Sequence, residues 1–236
     1  MFFDFGGTLF SYRRVGGGTG RLIGDAVRRL GVAAEPARIG SAYRDATRDA
    51  YLALQDQPYY LHRELFADTW RRFALGLGSE PRRDWVEGLI DLQRQIVTES
   101  FELRDDCAAT LEKLRAGGLH VAVVSNIDDD YLDPMIARAG LAELLDDWTS
   151  SEEAASCKPH EAIYRFACAK AGVRPEQVLF VGDSPEQDIA GARAVGMTTA
   201  LLREAGAAPP GSGVGTAGLP HFEIAELAEV LRLALE

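Results

Sequence analysis

Short apolar runs that alternate with amphipathic stretches constrain the fold of this chain more than any other feature. Leu119 to Val124 (LHVAVV), Val178 to Val181 (VLFV) and Thr198 to Leu202 read as strands buried on both faces. Beside and between them, Asp106 to Arg115, Asp130 to Ala139, Glu161 to Ala171 and Pro185 to Ala194 carry helical patterns. Alternation of this kind predicts an α/β fold, a Rossmann-like parallel sheet with right-handed crossovers. Met1-Phe2-Phe3 offers a first strand shorter than the usual five or six residues. Either that strand is truncated or the chain begins inside a longer reading frame.

Between residues 21 and 100 the pattern changes. Apolar residues recur at helical spacing in three sets: Leu22, Ala26, Val27 and Leu30; Leu61, Leu65, Phe66, Trp70 and Phe73; Trp85, Leu89, Leu92 and Ile96. This predicts an all-helical insertion of about four helices, entered through Gly16 to Gly20. The expected division is a core of residues 1–12 and 101–236 with a helical cap of residues 13–100. Tyr51, Tyr59, Tyr60 and Trp70 are expected mainly in helix packing. Ala205 to Gly218 reads as an exposed loop, followed by an amphipathic helix from Ala225 to Leu235.

Charge narrows the range of partners. The 236 residues carry a formal net charge of −11, which works against binding nucleic acid or an anionic membrane. Residues 13–100 are net +2, with 14 arginines and no lysine, so the remainder is net −13. No apolar run nears the ~20 residues that span a bilayer. The start lacks a basic, apolar leader, so no signal peptide is expected. Cys107, Cys157 and Cys168 are too scattered for a disulfide frame or a zinc site. A soluble, cytoplasmic monomer or homodimer is expected.

In an open parallel sheet, ligands bind beyond the carboxyl ends of the strands. Those ends carry Asp4, in DFGGTLF; Ser125 and Asn126, after VAVV; and Asp183, in VGDS. Lys158-Pro159 stands just before the helix that starts near His160. Ser184, Pro185 and Gln187 form an N-cap, N1 and N3 set that places Asp183 and Asp188 on one side. Two strand-end carboxylates, a hydroxyl and an ammonium therefore converge on one edge.

Four ordered motifs, DFGGTLF (4–10), VAVVSN (121–126), CKPHEAIY (157–164) and VGDSPEQDIAGARAVGM (181–197), resemble those of the haloacid dehalogenase superfamily, in the branch with a helical cap. The resemblance implies a Mg²⁺-dependent hydrolase in which Asp4 attacks phosphorus and becomes an aspartyl phosphate. It implies that Ser125, Asn126 and Lys158, with Gly7 and Thr8, hold the small phosphorylated substrate. Asp4, Asp183 and the Gly6 carbonyl would ligate the metal, with Asp188 orienting the ligands. Mg²⁺ favours this oxygen-rich chemistry, and a cation is needed when a carboxylate attacks an anionic phosphoryl group.

One position departs from the pattern. Phosphatases of the superfamily carry a second aspartate two residues after the nucleophile, and here Gly6 stands there. Positioned acid–base catalysis is worth roughly 10²–10⁴-fold, so alkyl phosphates are expected to turn over slowly. His62 is the helical-region residue that can titrate near neutral pH and substitute for it. Arg44, Arg48, Arg71 and Arg72 are expected to be largely solvated charge, with a share in steering an anion. The alternatives are a 2-haloacid dehalogenase, which attacks carbon with the same first aspartate, and a catalytically impaired phosphate-binding protein.

Overall fold

The structure is a computed structural model that describes residues 1–11, 16–203 and 219–235. The expected loop at 205–218 lies outside the described residues. The chain divides into two compact units, Met1–Tyr12 with Glu102–Glu236, and Arg13–Phe101.

After strand β1 (Phe2–Phe3) come the four helices of the second unit: α1 (Gly16–Leu30), α2 (Pro36–Leu52), α3 (His62–Gly76) and α4 (Arg83–Ser100). Their apolar stripes meet in one core that contains Leu22, Ala46, Trp70, Phe73, Trp85 and Leu89. Trp70 and Trp85 keep their indole N–H groups satisfied, on Gln93 Oε1 at 2.9 Å and on the Ala26 carbonyl at 3.4 Å. Tyr51 differs from the packing expectation. It lies near the end of α2 and is 40% exposed.

The first unit resumes with α5 (Cys107–Ala116), β2 (Ala122–Ser125), α6 (Asp129–Arg138), β3 (Asp147–Ser150), α7 (Glu161–Ala171) and β4 (Leu179–Gly182). Then follow a π-helical turn (Pro185–Ala190), α8 (Gly191–Ala194), β5 (Thr198–Leu202), β6 (Phe222–Ile224) and α9 (Val230–Leu235). The six strands form one sheet in the order β3-β2-β1-β4-β5-β6, with neighbours parallel. The fold is therefore α/β and Rossmann-like. Phe2, Val124, Tyr164, Phe180 and Met197 share the core on one face of the sheet.

β1 survives at two residues because it is central. Phe2 pairs with both Ala122 and Phe180, Phe3 with both Val123 and Val181, and both phenylalanines are buried. The two strands absent from the periodic pattern are the edge strands. β3 carries Asp147 and Thr149 in alternation with Trp148 and Ser150, and β6 has only three residues, with Phe222 exposed. The last helix begins later than its apolar spacing suggests. A 3₁₀ turn (Leu227–Glu229) precedes it, capped by Glu229 Oε1, which accepts from the amides of Ala225 and Glu226 at 2.7 and 3.0 Å. Among the described residues, no helix is long and apolar enough to cross a membrane.

Candidate active site

The sheet order reverses direction at β1, and this is where parallel α/β sheets open a crevice beyond their carboxyl ends. Registration puts Phe3 level with Val123 and Val181. Asp4, Ser125 and Asp183 therefore end or follow three adjacent strands. The Asp4 amide still donates to the Val181 carbonyl, at 2.8 Å, so the carboxylate projects from the last paired residue of β1.

Lys158 joins the carboxylates. Its Nζ lies 2.6 Å from Asp4 Oδ1 and 2.6 Å from Asp188 Oδ1, and the residue is only 3% exposed. Both of its backbone polar groups are clamped by one side chain: Lys158 N donates to Asn126 Oδ1 at 2.6 Å, and Asn126 Nδ2 donates to the Lys158 carbonyl at 2.9 Å. The Asn126 side chain thus serves the lysine. Ser125 is buried at the end of β2.

Asp188 is placed by the π-helical turn. The Ser184 amide donates to Asp188 Oδ2 at 2.9 Å, and Ser184 Oγ caps the turn by accepting from Gln187 N at 3.2 Å. The expected N-cap is present, but the turn is wider than an α-helix, a form that often marks functional sites. Tyr164, fully buried on α7, donates its hydroxyl to the Gln187 carbonyl. Gly182 leaves room for this arrangement, since a Cβ there would sit 2.3 Å from Asp188 Cβ.

The turn after β1 supplies the remaining groups. Thr8, fully buried, donates its hydroxyl to Asp4 Oδ2 at 3.3 Å. Gly6 bridges to Phe10 at the base of the turn. Gly7 has φ +85, and a Cβ on it would lie 2.1 Å from Asp183 Oδ2. Gly7→Ala is therefore expected to cost about 1–3 kcal/mol of stability and to displace Asp183. A lower melting temperature in thermal unfolding checks the stability loss.

Oxygens of Asp4, Asp183 and Asp188 lie within 4.8 Å of one another, against one ammonium. Burial and the neighbouring carboxylates both raise the Asp4 and Asp183 carboxyls. Burial, with Asp188 and Asp183 adding to it, pushes the Asp4 carboxyl up to about 7 in spite of Lys158. Desolvation and Asp188 push the more exposed Asp183 to about 6. Burial works against the charge of Lys158, but Asp188 and Asp4 outweigh it and hold the ammonium above its ordinary value. All the donors are oxygens, which fits a hard divalent cation such as Mg²⁺.

His62 lies in the helical unit, buried between Tyr60 and Phe66 with ring centroids 5.0 and 6.2 Å away. Arg48 pairs with Asp45 and Asp49, and Arg72 with Asp68, all within the helical unit. Three contributors escaped the sequence reading: the Asn126 side chain, Tyr164 and Arg104, whose guanidinium holds the turn after β1. Asn126 and Tyr164 carried a signal, each at the end of a motif, VAVVSN and CKPHEAIY, whereas Arg104 lay in none.

The sequence profile described as haloacid dehalogenase-like hydrolase matches residues 1–196. (S)-2-haloacid dehalogenase 4A of Burkholderia cepacia is 33% identical over 146 residues, 61% of this chain and 63% of that protein. Ribulose-1,5-bisphosphate 5-phosphatase of Halopiger xanaduensis is 33% identical over 132 residues, 56% of this chain and 55% of that one. The chain thus spans about three fifths of the length of the curated relatives it matches. L-2-haloacid dehalogenase from Xanthobacter autotrophicus superposes with a TM-score of 0.72 at 23% identity, over 98% of this chain and 96% of that one.

Proposed function

This chain belongs to the haloacid dehalogenase-like hydrolases, and within that family we propose that it is a phosphatase of a small phosphorylated metabolite. The observation that carries this reading is the third carboxylate: Asp183 stands with Asp4 and Asp188 against a single lysine, leaving a net charge of −2. Attack on carbon needs only the nucleophile and its lysine, whereas a surplus of clustered oxygens suits a divalent cation.

Asp4, Asp183 and the Gly6 carbonyl would hold the cation, with Asp188 fixing Lys158 and the Ser184 end of the π-helical turn. When bound, the metal offsets repulsion between the attacking carboxylate and the phosphoryl oxygens. Asp4 attacks phosphorus, the bond to the leaving oxygen breaks, and Asp4 carries the phosphoryl group until water releases it. Thr8 steadies the carboxylate through Oδ2. Lys158 Nζ and Ser125 Oγ stabilise the charge that develops on the transferring group.

Gly6 sets the leaving-group preference. With no side-chain acid at that position, good leaving groups such as aryl or acyl phosphates are expected to react fastest. Mg²⁺-dependent hydrolysis of p-nitrophenyl phosphate should be measurable but slow. Gly6→Asp should raise kcat on alkyl phosphates by about 10-fold or more. A fall in rate with the fold intact would mean that Gly6 is needed for its backbone. A metabolite-wide phosphatase screen with and without Mg²⁺ identifies the substrate, and no phosphate release from any member would overturn the assignment.

The relative at 33% identity named as a dehalogenase favours one second reading: a 2-haloacid dehalogenase. Chloride release from 2-chloropropionate in EDTA separates the two, because the phosphatase reading predicts none.

A further inference from the structure

The turn that follows β1 is pinned by a residue to which the proposed chemistry gives no task. Three consecutive carbonyls of the turn accept hydrogen bonds from Arg104: Nη2 donates to Gly7 O at 2.6 Å, Nε to Thr8 O at 2.8 Å, and its backbone N to Leu9 O at 2.9 Å. Beside it, Leu103 bridges antiparallel to Phe10.

In a trans peptide the N–H points away from the carbonyl of the same unit. Fixing these carbonyls on Arg104 therefore turns the amides of Thr8, Leu9 and Phe10 to the opposite side. The amides of Leu9 and Phe10 are found there, both donating to the Phe5 carbonyl, at 2.9 and 3.3 Å. Thr8, held through its own carbonyl and that of Gly7, keeps its hydroxyl on Asp4 Oδ2. Gly7, held through its own carbonyl, stays against Asp183, where there is no room for a side chain. The rigid fork of a guanidinium suits two adjacent acceptors, and a single ammonium cannot match it.

We propose that Arg104 is a positioning residue of the active site, setting the turn so that Thr8 orients Asp4 and Gly7 spaces Asp183. This rests on the reading of Asp4 as nucleophile. The test compares Arg104→Met, which keeps the aliphatic stem, and Arg104→Lys with the parent chain. On p-nitrophenyl phosphate with Mg²⁺, Arg104→Met is expected to lower kcat by about 10²-fold, the cost of a small misplacement of a catalytic group. KM should stay within about two-fold, since the guanidinium acts on the turn through the Gly7 and Thr8 carbonyls. Arg104→Lys should recover part of kcat. A second readout needs no turnover: beryllofluoride mimics a phosphoryl group on a carboxylate, and its binding, followed by ¹⁹F NMR, should weaken at least about 10-fold in Arg104→Met.

Unchanged kcat and beryllofluoride binding in folded Arg104→Met overturn the inference, as does a change confined to KM. If Arg104→Met fails to fold, Arg104→Lys decides: reduced kcat at parental KM supports the role, and parental kcat overturns it. A parent chain that neither turns over nor binds beryllofluoride overturns the nucleophile reading and this inference with it. A parent that does both, matched by its variants, overturns the inference alone.

Discussion

Asp4→Asn is expected to lower turnover by roughly 10⁴-fold or more while raising the melting temperature of the metal-free protein at pH 7. The two effects share one cause. Burial and the neighbouring carboxylates push the Asp4 carboxyl up to about 7, well above the ~3.9 of an unfolded chain. Between those values the folded state binds a proton that the unfolded state has released. Stability therefore falls as pH rises through that window, by up to ~4 kcal/mol for this group alone. Asparagine keeps the acceptor for Lys158 without the charge. Recovering half of that amount would raise the melting temperature by about 4–8 °C in a chain of this size. Scanning calorimetry in EDTA at pH 5 and pH 7 checks the sign, since the gain should shrink at pH 5. With Mg²⁺ added, the parent should gain more stability than Asp4→Asn, because ligand binding stabilises in proportion to affinity.

Lys158→Met is expected to do the reverse on stability and the same on activity. Lys158 is buried and bonds both Asp4 and Asp188 at 2.6 Å. Removing one partner of a buried ion pair costs about 3–5 kcal/mol, because the other charge is left uncompensated. The melting temperature should fall by about 10 °C and turnover should disappear. Because the folded-state pKa of Lys158 is raised, its stabilising charge is fully present below ~10.4 and is lost at higher pH. The deficit of Lys158→Met should thus persist to about pH 10, deepening above about pH 7 where Asp4 ionises without its partner. Denaturant unfolding of both proteins measures it. A deficit under ~1 kcal/mol would mean that the carboxylates find another partner.

The opposite signs show how the sequence could be read. Asp4, Ser125 and Asp183 were legible because polar residues at the ends of strands in a βαβ pattern have one place to go, and Lys158 because it stands just before α7. The central strands were legible for the same reason, being apolar on both faces, whereas β3 and β6 were not. An edge strand has one neighbour and tolerates Asp147, Thr149 and an exposed Phe222, so no periodic signal survives. The supports of the site were less readable still. The Asn126 side chain binds Lys158 across 32 residues and Arg104 binds Gly7 across 97. Contacts at such separation leave no local spacing to detect. The π-helical turn carried the expected capping residues, but its contact with Tyr164 joins residues far apart in sequence.

The most direct measurement is chemical trapping of Asp4. Protein mixed with p-nitrophenyl phosphate and Mg²⁺, quenched in acid and reduced with borohydride, should yield an N-terminal peptide in which Asp4 has become homoserine, absent when substrate is omitted. Substrate consumed at the same rate while every aspartate of that peptide returns unmodified would contradict a covalent role for Asp4.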